Sequence, residues 1–396
     1  MLQGVRILDL TWVLGGPFAG QLLAQLGADV IKIEPPRGDL ARKFPPHYIG
    51  ADSAFYLSVN RGKRSLALDL QNPAAKPVLR RLVERSDAVI YGFAPDVPAR
   101  LGIDLNSLRA MNPRICVGEL IGLDDRGEYA RAPAYDLILQ AIGGFMSITG
   151  EVGGAPVRAG YQVADLVGGL YLALGLSAAL LQAARRGAGQ KVQLSLLDCQ
   201  LAMLTWQAQN YFISGVVPRA TGTRHAMVAP SEVFDCADGR FLAISPTTPE
   251  FWDNFCTAIG RPDLATDPRF ADHQQRFTNV AALAQELAAV FRQQPAEHWR
   301  AELFHARVPV GRVNDVAEAL EQDLAQRRAM VEQVAAPDGS THRFLGNPFK
   351  YDGASSLRFP PVLGADSRQV LSEVGEFSAA EIDALVASGA VVCAPK

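Results

Sequence analysis

The sequence predicts an α/β protein built around a mostly parallel, doubly wound sheet. Over the first 120 residues, short apolar runs alternate with segments of helical periodicity, as in successive βαβ units. Gly and Pro residues separate these segments and mark the turns between them. A chain of 396 residues with 48% hydrophobic and 20% charged side chains is also long and apolar enough for two packed domains.

The N-terminal elements follow from this pattern in chain order. Strands are predicted at residues 5–10, 28–34, 87–91 and 115–121, and helices at residues 18–26 and 72–85. Gly15-Gly16-Pro17 ends the first strand, Pro17 suits the first turn of the first helix, and Gly27 ends that helix. Asn72-Pro73 is typical of the cap and first turn of the second helix.

The rest of the chain is predicted to form a long helix, a linker and a smaller α/β region. A second linker-like segment and a last helix follow. The long helix follows Asp165 and ends at Gly187, and residues 215–230 are rich in turn residues and read as the linker. The other predicted elements are helices at residues 196–212, 280–291 and 296–305, strands at 240–245 and 308–313, a second crossing at 335–363, and a last helix that a Ser378–Glu381 capping box begins and Gly389 ends.

Composition excludes several classes of function. The net charge of −3 provides no positive field for nucleic acid or an anionic membrane surface. The most apolar segment, residues 166–184, contains Gly, Ser, Tyr and Gln and reads as a buried core helix. The N-terminus lacks a basic stretch followed by a long apolar run, so we expect a cytoplasmic protein.

Metal and nucleotide motifs are absent from the sequence. The five cysteines are isolated and the six histidines do not fall at metal-ligand spacing, which favours reduced thiols and structural histidines. The chain contains no GxxxxGK[ST] loop, no GxGxxG after the first strand, no GxSxG elbow and no HExxH. We therefore expect no metal and no tightly bound cofactor.

Six phrases, in order along the chain, carry a family resemblance. They are GVRILDLTWVLGGPFAGQLLAQLGADVIKIEPPRGD, NRGKRSLALDL, DAVIYGFAPDVPARLGID, APAYDLILQAIGGFMSITG with AGYQVADLVGGLYLALGLSAALL, RRGAGQKVQLSLLD, and FPPVLGADSRQVL. Over essentially its whole length the chain resembles the CaiB/BaiF-type family III CoA-transferases. The resemblance implies an enzyme that uses acyl-CoA and a small carboxylic acid as substrates.

Asp165 matches the family position of the aspartate that forms a covalent intermediate. A carboxylate can attack the activated carbonyl of a thioester, which gives a mixed anhydride and then an enzyme–CoA thioester. An Asp at the start of a helix gains from the dipole and from free N–H groups, so we expect it to stay charged. Gly168-Gly169 would allow backbone to approach closely beside it. Spacing alone favours a helix cap for Asp165, and it is the family phrases on both sides that favour the nucleophile.

Two further pairs match family positions near the reacting carbonyl. Gly143-Gly144 resembles a glycine turn whose N–H groups could stabilise oxyanions, although a packing turn explains it equally well. Tyr135-Asp136 lies where racemases of the family carry His and Asp as paired bases. A neutral phenol is a poor proton acceptor at neutral pH, so Tyr135 favours transfer over racemisation. Tyr135 could instead bind a substrate carboxylate, and Asp136 could orient a neighbour or be structural.

The resemblance also implies a CoA channel in the N-terminal domain. The matching positions are Val13, Leu14, Arg37, Leu68, Phe93 and Arg100. Arg100 is the best phosphate partner because its guanidinium is forked. Pro35 and Gln71 stand where some members have basic residues, and Arg37 could replace the first of these. Lys63-Arg64 reads as a surface charge cluster. A glycine-rich loop that closes over the intermediate in some members is missing near residues 228–245.

The resemblance implies a Rossmann-like large domain at residues 1–210, to which residues 330–396 return, and a small α/β domain at residues 225–325. Residues 211–224 and 326–350 are then linkers, and two subunits form an interlocked homodimer. An alternative is an acyl-CoA racemase or epimerase of the same fold. Another is a CoA-binding protein without catalysis, since fold alone does not fix function.

Overall fold

The computed structural model describes residues 1–354 and 357–394. Two compact units are present. The large unit comprises Met1–Phe145, Arg158–Gln209 and Leu324–Lys396, and the small unit comprises Met146–Val157 and Asn210–Asp323. Residues 146–157 therefore group with the small unit, although they lie inside the span predicted for the large domain.

The elements up to residue 214 include eight strands and nine α-helices in the described residues. The strands are β1 Arg6–Asp9, β2 Asp29–Glu34, β3 Tyr48–Ile49, β4 Asp52–Ser53, β5 Arg64–Leu68, β6 Ala88–Tyr91, β7 Cys116–Ile121 and β8 Lys191–Ser195. The helices are α1 Gly15–Gln25, α2 Ala54–Ser58, α3 Ala75–Glu84, α4 Val97–Leu101, α5 Leu105–Met111, α6 Asp136–Ile142, α7 Val163–Arg186, α8 Leu196–Ala202 and α9 Thr205–Ser214.

The elements beyond residue 214 fall into two groups. The first group is β9 Glu232–Asp235, β10 Phe241–Ile244, α10 Pro249–Ala258, α11 Asp263–Thr266, α12 His273–Thr278, α13 Val280–Phe291, α14 Ala296–His305, β11 Val310–Arg312 and α15 Val316–Glu321. The chain then returns to the large unit through α16 Asp323–Arg327, β12 Val331–Ala335, β13 Thr341–Leu345, α17 Ser367–Glu373, α18 Ala379–Ala387 and β14 Val391–Val392.

The large unit is organised around a seven-stranded sheet of order β14-β5-β2-β1-β6-β7-β8. All neighbouring strands are parallel except the edge strand β14, which pairs antiparallel with β5. Counted along the chain, the six parallel strands have the order 3-2-1-4-5-6 of a Rossmann sheet. The order in which successive strands are added reverses between β1 and β6. The predicted α/β fold with a mostly parallel sheet is confirmed.

Helices cover both faces of this sheet. On β1, Ile7 faces the core that α1 and α7 complete, whereas Leu8 faces the core formed with α3, α5, α17 and α18. The alternation follows from the period of two along a strand. Because α17 and α18 share a core with α3, the C-terminal segment is part of the large unit.

Helix α7 is the longest helix of the described residues and is largely apolar. By length and composition it could cross a membrane, but half of its most apolar stretch is buried inside the protein. Its residues Leu172 and Leu176 are fully buried in the same core as Ile7 and Ile90. The predicted buried core helix is confirmed for one face of the segment, whereas Leu170, Leu174 and Leu181 are exposed on this chain.

The small unit has its own sheet and aromatic core. Its antiparallel sheet has the order β11-β10-β9. Phe291 lies 5.0 Å from Phe234 and 5.6 Å from Trp299, measured between ring centroids. Aromatic pairs of this kind stabilise a core by more than the apolar area that they bury.

Several local predictions are confirmed and others are wrong. The helices predicted at residues 280–291 and 296–305 are present, and Ser378 and Glu381 form the predicted capping box. The single helix predicted at residues 196–212 is instead two, α8 and α9, because the chain turns at Thr205, whose φ is 41°. The predicted second crossing at residues 335–363 begins inside a hairpin of β12 and β13.

Candidate active site

Asp165 lies in the first turn of α7, two residues after the helix begins at Val163. The residue at the N-cap is Gln162, whose side chain makes no capping hydrogen bond. Burial raises the pKa of Asp165 to about 7, and the negative charge of Asp136 adds to this rise. The helix start was expected to favour the charged form, whereas burial and the charge of Asp136 shift Asp165 towards the neutral form.

The side chain of Asp136 is held by hydrogen bonds from two neighbouring groups. Its Oδ1 accepts a bond of 2.9 Å from the Ala164 backbone N–H, and its Oδ2 accepts one of 2.6 Å from Gln140 Nε2. The Gln140 Oε1 in turn accepts a bond of 2.8 Å from the Ala159 N–H. Asp136 is buried, and its hydrogen bond to Ala164 fastens the start of α7 to α6. Tyr135 precedes it and is exposed.

Glycines bring the start of α7 against the start of α1. A Cβ placed on Gly169 would lie 2.5 Å from the Gly15 carbonyl oxygen, and one placed on Gly15 would lie 2.9 Å from the Asp165 carbonyl oxygen. A Cβ on Gly168 would meet a Leu196 methyl at 2.2 Å. The predicted close approach at Gly168-Gly169 is confirmed, because no larger residue fits without moving backbone or core.

At Gly143, the structure fits the packing-turn alternative for the Gly143-Gly144 turn. The Gly143 N–H donates to the Leu139 carbonyl at 2.8 Å, so this amide is not free to bind an oxyanion. A Cβ on Gly143 would lie 2.5 Å from Gln200 Cγ, whereas Gly144 has a φ of +83°. Gly143 is thus required for packing and Gly144 for the left-handed turn.

A cavity of about 290 Å³ lies at the carboxyl ends of β1, β2, β5 and β6. Four of the six predicted CoA residues line it, namely Arg37, Leu68, Phe93 and Arg100. Doubly wound sheets bind ligands at this edge, close to where the strand order reverses. The structure therefore brings these four residues together around one space.

The remaining predicted positions surround this cavity or lie apart from it. Pro35 and Gln71 line it, although neither carries a charge. Leu14 is buried at the start of α1, and Val13 has a left-handed backbone with a φ of 67°. Sequence reasoning missed Trp12, which lines the cavity with the Arg37 guanidinium 5.7 Å from its ring centroid. An aromatic residue just after the first strand was the available signal.

The interpretation of Lys63-Arg64 as a surface cluster is wrong. Lys63 is fully buried, and its Nζ donates to Asp9 Oδ2, to the Pro17 carbonyl and to Asn60 Oδ1, each at 2.8 Å. Burial lowers the pKa of Lys63 to about 8 against the opposing charge of Asp9. Arg64 is also buried and pairs with Asp29 at 2.5 Å. Sequence alone did not show that the start of β5 is interior.

Within residues 1–354 and 357–394, no group of three or more His, Cys, Asp or Glu side chains is arranged to hold a metal ion.

The fold and the cavity define an α/β protein with the ligand crevice of a doubly wound sheet. The family model of CoA-transferase family III matches residues 2–367. The chain belongs to this family and is a CoA-transferase, which uses CoA thioesters as substrates. The family resemblance carried by the six phrases is thereby confirmed.

Individual relatives agree with the family assignment. The chain is 36% identical over 387 residues to succinate–glutarate CoA-transferase of Agrobacterium fabrum, covering 94% of this chain and 95% of the relative. It is 37% identical over 353 residues to acetyl-CoA:oxalate CoA-transferase of Acetobacter aceti, covering 89% of each chain. A CAIB/BAIF family protein from Brucella suis has a similar structure, with a TM-score of 0.82, 33% identity, and coverage of 94% of this chain and 98% of that one.

Proposed function

We propose that this CoA-transferase moves CoA from an acyl-CoA such as succinyl-CoA to a small dicarboxylic acid through a thioester on Asp165. The observation that carries the proposal is the carboxyl of Asp165, half-buried in the first turn of α7, with a pKa near neutrality. Its neighbour Asp136 is held by Ala164 and Gln140, which leaves Asp165 as the carboxyl available for attack.

The reaction proceeds in two matched halves. An Asp165 oxygen attacks the donor thioester carbonyl, and the C–S bond breaks to give a mixed anhydride and CoA thiolate. The thiolate attacks the aspartyl carbonyl and releases the donor acid as its carboxylate. The acceptor carboxylate then attacks the aspartyl thioester, and the released thiolate attacks the acceptor carbonyl of the new anhydride. Asp165 is regenerated as a carboxylate, with no net proton or electron change.

The environment of Asp165 suits a covalent intermediate. Burial and the charge of Asp136 both raise the free energy of the carboxylate relative to neutral forms. The mixed anhydride and the thioester carry no charge on the aspartyl group. The same two effects that raise the pKa therefore favour acylation of Asp165, while the raised pKa also makes its carboxylate a stronger nucleophile.

The cavity at the carboxyl edge of the sheet is our proposed site for CoA. Arg37 and Arg100 supply cationic guanidinium groups for phosphates. Trp12 and Phe93 supply aromatic surface for the adenine. Tyr135 and the Gly144 turn are proposed to contact the acid substrate.

The relatives support a dicarboxylate as the acid. Succinate, glutarate and oxalate appear in the names of two of them, and each acid bears two carboxyl groups. We propose that a succinyl-CoA donor and acceptors such as glutarate, itaconate, mesaconate or malate are suitable substrates. We further propose that the enzyme is a cytoplasmic, interlocked homodimer.

Mass spectrometry of the intact protein tests the covalent step. Incubation with succinyl-CoA alone is expected to add CoA, because no acceptor removes it after succinate leaves. Peptide mapping is expected to place the adduct on Asp165. Asp165→Ala should abolish both the adduct and transfer, whereas Asp198→Ala should retain both, because Asp198 is exposed at the equivalent position of α8.

Hydroxylamine gives an independent test of the same intermediate. It should cleave the thioester and inactivate the enzyme by leaving a hydroxamate at Asp165. Robust transfer without an adduct and without hydroxylamine sensitivity would exclude the covalent route. Exchange of the α-hydrogen in deuterated water would favour a racemase instead, and CoA binding without turnover of any donor would favour a binding protein.

A further inference from the structure

The turn between β1 and α1 contains a residue in a conformation that its side chain disfavours. Val13 has a φ of 67°, in the left-handed region. A β-branched residue is rarely found there, since its Cβ crowds the backbone. Surrounding structure must hold such a residue, and strain of this kind clusters at ligand sites.

A buried ion pair holds this turn from both sides. The Val13 N–H donates to both carboxylate oxygens of Asp39, at 3.2 Å each. The Asp39 Oδ2 accepts a hydrogen bond of 3.0 Å from Lys32 Nζ, which also donates to the Thr11 carbonyl at 2.9 Å. The side chains of Lys32 and Asp39 have 0% exposure. Residues on either side of Trp12 are thus fastened to one pair of charges.

The position of Trp12 connects the pair to the cavity. Trp12 lies between Thr11 and Val13 and lines the cavity together with Arg37. Neither Lys32 nor Asp39 lines that cavity itself. If the turn relaxed to an ordinary negative φ, Trp12 would be redirected and the start of α1 at Gly15 would shift.

We propose that the Lys32–Asp39 pair is a positioning device for CoA binding, which keeps Val13 left-handed and so places Trp12 against the ligand. The inference rests on the proposal that CoA occupies this cavity. Burying two charges is costly unless both are paired and hydrogen-bonded, as they are here. The pair maintains a turn that valine alone would not adopt.

The test compares CoA affinities by isothermal titration calorimetry with free CoA. The main variant is Lys32→Met with Asp39→Ser, which removes both charges together. Serine retains the short reach needed for the Ala41 N–H, which Asp39 now caps at 2.9 Å, but it lacks the charge and the second oxygen that Asp39 presents to Val13. We expect the Kd for CoA to rise about 10-fold, given the usual size of such backbone strain.

Making the same substitutions in Val13→Gly protein separates an effect on the position of Trp12 from a general loss of stability. Glycine adopts a positive φ without strain, so in Val13→Gly protein the same two substitutions should raise the Kd about 3-fold or less. A purely structural role would lower the thermal midpoint without any difference in CoA affinity between the two backgrounds. Equal effects on the Kd in both backgrounds would overturn the proposal.

The control removes a less buried ion pair at the opposite edge of the sheet. Arg64→Met with Asp29→Asn disrupts a pair at the amino ends of β5 and β2 and should leave the Kd unchanged. If the main variant does not fold by circular dichroism, Val13→Pro replaces it. Proline fixes a negative φ and removes the N–H, so wild-type CoA affinity in Val13→Pro would also overturn the proposal.

Cavity variants separate this inference from the placement of CoA. Phe93→Ala and Arg100→Ala should weaken CoA binding directly. If they do and the Lys32–Asp39 variant does not, positioning is wrong while the CoA site stands. If neither weakens binding, CoA lies elsewhere and both proposals about the cavity fall.

Discussion

The pKa of Asp165 predicts how the first half-reaction depends on pH. Only the carboxylate is nucleophilic, and with a pKa of about 7 its population rises about tenfold between pH 6 and pH 8. We expect the single-turnover rate of adduct formation with succinyl-CoA to rise by a similar factor. Rapid quench followed by intact-protein mass spectrometry measures it. A rate independent of pH over this interval would show that ionisation of Asp165 does not limit attack.

The same residue should make folding less favourable as pH rises. The folded pKa of about 7 exceeds the value near 4 of an unfolded aspartate, so between these values only the folded state keeps the proton. Stability contributed by this carboxyl is therefore lost from about pH 4 to pH 7. Asp165→Asn should stabilise the protein at pH 8 by about 1–3 kcal/mol, allowing for solvent screening at a half-buried site.

Thermal unfolding at pH 5 and pH 8 checks this prediction. The gain from Asp165→Asn should be larger at pH 8, and the exposed control Asp198→Asn should show no such difference. A gain independent of pH would mean that removal of the charge is not its cause.

Sequence reasoning located Asp165 but not its protonation. The family phrases identified the position, because they are local. Its pKa depends on burial and on the charge of Asp136, which are features of the folded chain. Trp12 was missed for the same reason, as its role depends on strands that lie beside it only in the folded sheet.

At the scale of secondary-structure elements, the starts of α1 and α7 are in contact at glycine residues. Adding one methyl group at Gly169 tests this contact. In Gly169→Ala the new Cβ would lie 2.5 Å from the Gly15 carbonyl, and backbone cannot yield as a side chain can. We expect a loss of about 1–3 kcal/mol in unfolding free energy and reduced transfer, since α1 must move away from Asp165.

Gly175→Ala on the same helix is the matched control. Its Cβ would meet only a Val192 methyl at 2.8 Å, which can shift, and alanine gains about 1 kcal/mol of helix propensity over glycine. Urea denaturation of both variants should show the larger loss for Gly169→Ala. Equal losses would mean that the α1–α7 contact is not tightly constrained.

Helices and strands that a short stretch of sequence defines were predicted. Elements that depend on contacts with distant parts of the chain were not. Helix α13 has clear apolar periodicity, and Ser378–Glu381 is a capping box visible in four residues. Strands β5 and β8 begin with Arg64 and Lys191, and their strand character depends on pairing with β2 and β7. The break between α8 and α9 has no Gly or Pro to mark it.

At the scale of the whole molecule, the alternation of strands and helices predicted the parallel sheet. It did not predict that the C-terminal segment packs against the N-terminal part of the chain. Val391 pairs with Leu68 across more than 300 residues, and Val370 and Leu371 lie in the same core as Leu66. No periodicity predicts such a long-range contact. Only the family resemblance led to the expectation that residues 330–396 rejoin the first domain.

Apolar side chains exposed on a single chain support the proposed dimer. On α7, Leu170, Leu174 and Leu181 are 49%, 68% and 54% exposed and fall on one helical face. Ile138 and Ile142 are similarly exposed on α6. Exposed apolar faces of this kind mark interaction surfaces. A second copy of the chain is the partner that the family resemblance implies.

If the two chains are interlocked, they cannot separate without unfolding. We therefore expect a dimer in size-exclusion chromatography with light scattering, and no mixed-tag dimers when two differently tagged preparations are incubated together at high dilution. Unfolding the mixture in guanidinium and refolding it should produce mixed dimers, because the chains then thread anew. Rapid mixing under native conditions would instead indicate an interface formed by separately folded subunits, in which burial of the Leu174 face provides the affinity without threading.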